Sequence, residues 1–298
     1  MQQTLVAGVR RFNRTVTQRV GALNDAYLSR SRPLGQARVL WEIGEAGPVG
    51  CEVRALRARL DLDSGYLSRL LRALEADGLV EVEAEEGGDG RVRTARLTQA
   101  GRAEREHLDQ ASDELAAEIL GPLNDRQRER LVAAMADVER LLTASQVEIA
   151  VTDPRLPAAR HCLDTYFEEL AERFENGFDP GQGISASEPE LTMPAGMLLV
   201  ATLHGEPVGC GALKFDPAAG VAHLKRMWVD RSVRGLGLGR RLLAELEAQA
   251  VGRQARVLRL DTNRALKEAV AMYRAAGFRE VERFNDETYA HHWFEKVL

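Results

Sequence analysis

One decapeptide constrains this chain more than any other: Arg234-Gly235-Leu236-Gly237-Leu238-Gly239-Arg240-Arg241-Leu242-Leu243. Val221 to Val229 before it reads as a strand, and an amphipathic helix runs from about Gly239, so the glycines occupy a strand-to-helix joint. Such a joint turns unbonded amides, at the positive end of a helix dipole, toward an anion. Glycine lets a phosphate approach the backbone closely, and the flanking arginines add charged donors. A pyrophosphate-bearing ligand fits this chemistry; a tight turn with no ligand is the plainer reading. The spacing excludes a dinucleotide fingerprint, because Arg240 stands where the third glycine of G-x-G-x-x-G would fall, and a Walker loop, because Gly-Lys-Ser/Thr is absent.

What remains is R-x-x-G-x-G, carried by Arg234, Gly237 and Gly239, which resembles the acetyl-CoA pyrophosphate loop of the GNAT acetyltransferases. Upstream, His223-Leu224-Lys225-Arg226-Met227-Trp228-Val229-Asp230 resembles the strand before that loop. Downstream, a strand from Ala255 to Asp261, Asn263 and the run Ala271-Met272-Tyr273-Arg274-Ala275-Ala276-Gly277-Phe278 are similar to the family's second half. The resemblance covers about residues 147–298 and implies an α/β GNAT fold with a mixed, mainly antiparallel central sheet. It implies acetyl-CoA as co-substrate, held by Met227, Trp228, Val229, Arg234, Gly235, Leu236, Gly237, Leu238, Gly239 and Arg240. It also places Asn263 on the pantetheine arm and Tyr273 on the sulfur.

Acetyl transfer to an amine proceeds most simply by direct attack of the neutral amine on the thioester. Tyr273, with a phenol pKa near 10, is the candidate proton donor to the departing thiolate, or else a helix residue packed beneath the loop. His223 stands where many GNAT proteins carry a glutamate, and it is either the base or a structural histidine. Gly209-Cys210-Gly211 offers Cys210 no adjacent base, so an acyl-cysteine route is not indicated. For the acceptor, Tyr166 to Met193 holds Glu168, Glu169, Glu172, Arg173, Phe174 and Glu175, followed by a Gly/Pro/Ser-rich stretch from Asn176 to Pro194 that reads as a mobile loop over the site. Arg173 is a candidate carboxylate clamp, although these charges equally suit a solvated helix face. A small amine or amino acid is the expected acceptor, and a protein lysine the alternative.

At 298 residues the chain has room for two domains. Its longest apolar runs, such as Met197 to Leu203, cannot span a bilayer, and Met1 to Arg19 has no signal-peptide core, so a cytoplasmic protein without membrane attachment is expected. Cys51, Cys162 and Cys210 are scattered with no C-x-x-C or nearby histidine pair, so they read as small core residues rather than a disulfide or metal framework. A net charge of −5 means that any DNA contact needs a local basic face.

Before Ser145 the rhythm is helical. Gln3 to Arg30, Gly35 to Gly44, Glu52 to Leu60, Ser64 to Asp77, Gln99 to Leu120 and Asn124 to Ala144 read as helices, punctuated by Pro33, Asp63-Ser64, Gly78, Gly121-Pro122 and Asn124. In the fourth, Leu67, Leu70, Leu71 and Leu74 form a buried stripe, which leaves Ser64, Tyr66, Ser68, Arg69 and Arg72 for base edges and phosphates. Leu79 to Val82 and Arg91 to Thr98 read as strands around a turn-rich tip, Glu85 to Gly90.

This pattern, from about Gly35 to Arg102, resembles the winged helix–turn–helix of the MarR transcription regulators. The wing signature is matched by Asp89, Arg91, Leu97, Thr98 and Gly101. The resemblance implies double-stranded DNA as partner, a near-palindromic site, wing contacts at Arg91 and Arg93, and a homodimer through Gln3–Arg30 and the Gln99–Ala144 pair. Glu83, Glu85 and Glu86 depart from it, since they repel phosphate if turned toward DNA. A dimerisation module without DNA binding is the plainer alternative.

The junction falls near Ser145-Gln146, which gives domains of 1–145 and 146–298, with Val147 to Val151 opening the second. Two functions compete: an acetyltransferase whose first domain dimerises it, and a DNA-binding regulator whose second domain senses acetyl-CoA.

Overall fold

The computed structural model describes residues 2–22, 32–84, 92–175, 177–184 and 186–298. They form two compact units, Met1–Met135 and Ala136–Leu298.

In the first unit the helices are α1 (Gln2–Arg19), α2 (Leu34–Glu45), α3 (Val53–Leu60), α4 (Ser64–Ala76) and α5 (Gln99–Leu120), with α6 (Asp125–Ser145) following. The first helix stops at Arg19 rather than at Arg30, because Gly21 takes a left-handed φ of 68° and unwinds the next turn. Residues 23–31 lie outside the described residues. Cys51 and Glu52 form a short strand, β1, so the third helix starts one residue later than its periodicity predicts. With β2 (Val80–Ala84) and β3 (Arg93–Leu97) it makes a three-stranded antiparallel sheet in the order β1-β3-β2.

The core of this unit gathers Val39, Leu40 and Ile43 of α2, Leu56 of α3, and the Leu67, Leu70, Leu71 and Leu74 stripe of α4. Asp63 caps α4, its carboxylate accepting from the Tyr66 amide at 2.8 Å. The Leu97-Thr98-x-x-Gly101 signal has a steric origin. Thr98 Oγ1 accepts from the Gly101 amide at 2.9 Å and donates to Gly78 O at 2.7 Å, while a Cβ at residue 101 would lie 2.0 Å from Leu79 O.

The second unit is a seven-stranded mixed sheet in the order β4-β5-β6-β7-β8-β10-β9. Its elements are β4 (Glu148–Val151), α7 (Pro157–Arg173), β5 (Gly196–Leu203), β6 (Glu206–Asp216), β7 (Val221–Val229), α8 (Leu238–Gly252), β8 (Val257–Thr262), α9 (Lys267–Ala275), β9 (Arg279–Val281) and β10 (His292–Val297). Every pairing is antiparallel except β7 with β8. Helix α7 covers one face through Ala159 and Cys162, against Leu198, Val200, Cys210, Ala212 and Trp228. Leu242, Leu243 and Leu246 of α8 and Val270 and Tyr273 of α9 join the larger cluster with Phe294 and Leu260.

Two features of the sheet create the site. The parallel pairing of β7 and β8 runs only from Val221↔Val257 to His223↔Arg259, although β7 continues to Val229 and β8 to Thr262. The strands therefore part and open a wedge in the sheet. Opposite the wedge, Cys210 pairs with Trp228 but Ala212 with Lys225, so Gly211 faces two residues, Arg226 and Met227. This is a β-bulge, and Arg226 has a left-handed φ of 57°. Gly211 suits that position, since a Cβ would lie 2.7 Å from the Leu246 methyl and 2.8 Å from Met227 Sδ, and both side chains would have to shift.

Candidate active site and candidate DNA-binding helix

The glycine loop leaves β7 at Asp230, whose carboxylate accepts from the Ser232 amide at 2.8 Å and starts a single 3-10 turn, Arg231–Val233. Gly235 and Gly237 have φ of 84° and 79°, and a Cβ on either meets nothing within 4 Å. Backbone handedness, not crowding, therefore demands glycine at both. Gly239 differs: its Cβ would lie 3.2 Å from Met272 Sδ. The first α8 hydrogen bond runs from the Arg241 amide to Gly237 O, so the amides of Leu238, Gly239 and Arg240 have no carbonyl one turn back.

These residues line a cleft of about 440 Å³ that also takes in Met227, Trp228, Val229, Arg234 and Tyr273. The structure thus brings together, on one cavity, the expected cofactor residues of the loop and strand and the expected thiolate-facing tyrosine. Asn263 lies elsewhere, on an adjoining cavity of about 90 Å³. Its Nδ2 donates to Tyr289 O and its Oδ1 accepts from the Ala265 amide, both at 2.8 Å. Leu236 packs against the larger core. The two cavities share Tyr166, Leu170, Met227, Leu266, Ala269 and Tyr273 as a common wall.

Tyr273 is buried, with its ring between Phe278 and Phe294 at centroid distances of 5.8 and 6.3 Å. Burial, and then Tyr166 and Asp261 nearby, push its phenol well above the ordinary tyrosine value. Burial likewise pushes Tyr166 up to about 12, against the opposing pull of Arg226. His223 lines neither cavity: its ring faces Phe284 at 6.1 Å, and burial followed by Lys225 and Arg259 holds its pKa below the ordinary value.

Arg173 is engaged within the protein. One nitrogen donates to Glu169 at 3.1 Å, and another to Glu268 at 2.7 Å and Ala265 O at 2.9 Å. Of the other charges expected near the acceptor, Glu172 pairs with Arg231 at 2.7 Å and Glu175 with Arg264 at 3.2 Å. Phe174, with Phe178, Pro180, Gly183 and Ile184 of the following loop, does line the smaller cavity, whereas Asn176 and Ser185 lie outside the described residues.

Several roles at the site escaped the sequence. Glu169 is a buried hub that accepts from Arg234, Arg173 and Trp228 Nε1; the i,i+4 spacing to Arg173 was its one visible signal. Lys225 and Asp261 form a buried pair at 2.6 Å, and Asn285 donates to the same carboxylate oxygen. Phe178 and Tyr289, with centroids 4.9 Å apart, build an aromatic wall from segments that no local pattern links.

On α4, Ser64, Tyr66, Arg69 and Arg72 are exposed and Ser68 is half-buried. The Arg69 guanidinium lies over the Tyr66 ring at 5.6 Å, and Arg72 Nε donates to Ser68 O at 3.2 Å. Arg93 is exposed at the start of β3. Glu83 is ion-paired with Arg96 at 2.6 Å, which offsets the charge expected to repel DNA. Asp89, Arg91, Glu85 and Glu86 lie outside the described residues. Among the described residues no helix is long and apolar enough to cross a membrane, and no cluster of His, Cys, Asp or Glu is placed to hold a metal. The three cysteines are free and buried.

Residues 163–278 match the Acetyltransferase (GNAT) family, and residues 29–92 match the MarR family. The chain is 39% identical over 88 residues to an IAA acetyltransferase of Azospirillum brasilense, a match covering 30% of this chain and 58% of that protein. It is 35% identical over 94 residues to an uncharacterized N-acetyltransferase of Schizosaccharomyces pombe, covering 30% and 56%. It thus spans little more than half the length of either relative. A GNAT-family acetyltransferase of Staphylococcus aureus Mu50 superposes with a TM-score of 0.43 at 20% identity, over 51% of this chain and 99% of that one.

Proposed function

Because this chain joins a MarR-family region to a GNAT-family acetyltransferase domain, we propose that it is an acetyl-CoA-dependent N-acetyltransferase fused to a dimeric, DNA-binding regulator domain. The working division is 1–145 and 146–298, in the cytoplasm. The observation that carries the enzymatic reading is the single cleft lined by the glycine loop, the end of β7 and Tyr273.

The diphosphate of acetyl-CoA would lie against the Gly235–Arg240 backbone, where the α8 amides and the exposed Arg240 supply donors. The thioester then reaches Tyr273, and the acceptor amine enters from the smaller cavity on the far side of the shared wall. Asn263 borders the pantetheine path from that side.

The neutral amine attacks the carbonyl carbon; the C–N bond forms, the C–S bond breaks, and the sulfur leaves as thiolate. Tyr273 keeps its proton throughout, because its phenol is raised and an ordinary thiol ionises near pH 8.5. Its hydroxyl makes no hydrogen bond to another described residue, so its O–H is available to stabilise the sulfur. The amine's proton departs through water, with His223 as the relay: its lowered pKa keeps it neutral and basic below the usual range.

The acceptor is a small amine or amino acid; acetylation of a protein lysine is the alternative. For the regulator domain, exposed Leu5, Val9 and Phe12 on α1 support the dimer, and the basic outer face of α4 supports a near-palindromic duplex site. A second reading, a regulator whose GNAT domain only senses acetyl-CoA, predicts binding without turnover. Release of CoA from acetyl-CoA across an amine panel, alongside calorimetry of acetyl-CoA binding, tests both. Binding with amine-dependent release supports the enzyme, binding alone supports the sensor, and no binding overturns both.

A further inference from the structure

The cations around the two cavities are not equivalent. Arg173 is held by Glu169 and Glu268, Arg234 by Glu169, and Lys225 by Asp261. Arg240 is exposed at the glycine loop, where an anionic diphosphate is expected. That leaves Arg226 on the acceptor side: among the described residues no carboxylate lies within ion-pair distance of it, and its Nε is buried without a hydrogen-bond partner.

Its placement is built into the backbone. In a regular strand Lys225 and Arg226 would point to opposite faces, yet both line the smaller cavity because the bulge opposite Gly211 rotates Arg226 into a left-handed conformation. The Cys210 thiol donates to Arg226 O at 3.2 Å and pins that geometry. The guanidinium carbon sits 4.7 Å from the Phe167 ring centre and 5.8 Å from that of Tyr166. Two aromatic rings thus flank the guanidinium, and neither neutralises its charge. A strained residue presenting an oriented, uncompensated guanidinium to a cavity calls for a carboxylate.

The wall of that cavity carries an apolar stretch of Phe174, Phe178, Ile184 and Leu224 with the Tyr289 ring, beside polar groups already engaged within the protein: Asp261 by Lys225, Asn263 by Tyr289 O and the Ala265 amide, and Glu287 by the Ile184 amide. A carboxyl-free amine would leave Arg226 without a counter-ion, and so would a lysine in a protein, whose own carboxyl is consumed in the peptide bond. We propose that the acceptor is an α-amino acid with an apolar or aromatic side chain, and that Arg226 is the specificity residue that takes its carboxylate. This rests on the cleft being the acetyl-CoA site.

The test uses the full chain with saturating acetyl-CoA and two acceptor pairs differing only in the carboxylate: phenylalanine with phenethylamine, and leucine with 3-methylbutylamine. CoA release gives kcat/KM, corrected for the fraction of free amine. The expected result is at least a tenfold preference for the amino acid in each pair, collapsing toward one in Arg226→Gln and partly kept in Arg226→Lys. Equal turnover of both members by the unmodified chain, turnover of neither, or a preference that survives in a folded Arg226→Gln overturns the assignment. If substitution unfolds the chain, the unmodified chain's own ratio still decides. Calorimetry separates the two failures: acetyl-CoA binding without the carboxylate preference sinks only the Arg226 assignment, whereas no acetyl-CoA binding removes its premise.

Discussion

Glu169 and Arg234 meet at 2.5 Å, joining α7 to the start of the glycine loop across 65 residues of sequence. The same carboxylate accepts from Trp228 Nε1 at 3.1 Å, so one buried acid fixes the end of β7, the loop entry and Arg173 together. Burial alone would push Glu169 up, but the hydrogen bonds from Arg234 and Arg173 prevail and hold it below the ordinary glutamate value. A carboxyl depressed in the fold adds stability that is complete above its unfolded pKa and is lost as pH falls through the folded one. Glu169→Gln should therefore lower Tm at pH 7 and lose much less on acidification to pH 4 than the unmodified chain. It should also raise the acetyl-CoA Kd. Parallel Tm-against-pH curves for the two proteins would contradict this.

Gly237→Val should raise the acetyl-CoA Kd at least tenfold. The branched residue must adopt a φ of 79° that costs it about 1–2 kcal/mol, and its side chain stands where the diphosphate meets the backbone. Gly239→Val adds contact with Met272 at a site 3.2 Å from its sulfur. Near-normal calorimetric affinity in folded variants would exclude the loop as the phosphate site.

Tyr273→Phe should keep acetyl-CoA affinity and lower kcat by roughly 10²-fold, the lower end of what losing one hydrogen-bond donor to a developing anion costs. Because the phenol is raised well above its ordinary value, Tyr273 should add no alkaline limb to the kcat profile below pH 10. An unchanged kcat with chemistry rate-limiting removes Tyr273 from the reaction.

His223→Ala should abolish an acidic limb in kcat/KM whose midpoint lies below 6.5, since burial, Lys225 and Arg259 all favour the neutral ring. The loss should be smaller than that of Tyr273→Phe, because His223 lines neither cavity and acts through water. Persistence of the same limb in the variant would assign the base elsewhere.

For the regulator domain, Arg91→Ala or Arg93→Ala should weaken binding to all duplexes and reduce the salt slope by about one. Ser68→Ala and Arg69→Ala should change base preference instead. Selection from a randomised duplex library at low salt checks this. If no inverted repeat is enriched and affinity is independent of these arginines, the domain is a dimerisation scaffold.

The sequence by itself determined the local features. The α4 stripe is read from its 3.6-residue period, the Asp63 cap from its carboxylate just before the helix, and the glycine loop from the R-x-x-G-x-G spacing between a strand and a helix. All are legible because their physics acts within a few residues. Tertiary structure alone decided which charges are spent and which are available. Arg173 is neutralised by Glu169 and by Glu268, 95 residues away, and Lys225 by Asp261, while Arg226, turned by a bulge that exists only once β6 lies beside β7, has no carboxylate within ion-pair distance among the described residues. Neither ion pairing between distant segments nor strand register leaves a periodic trace, because each depends on which surfaces the packed core brings within a few ångströms.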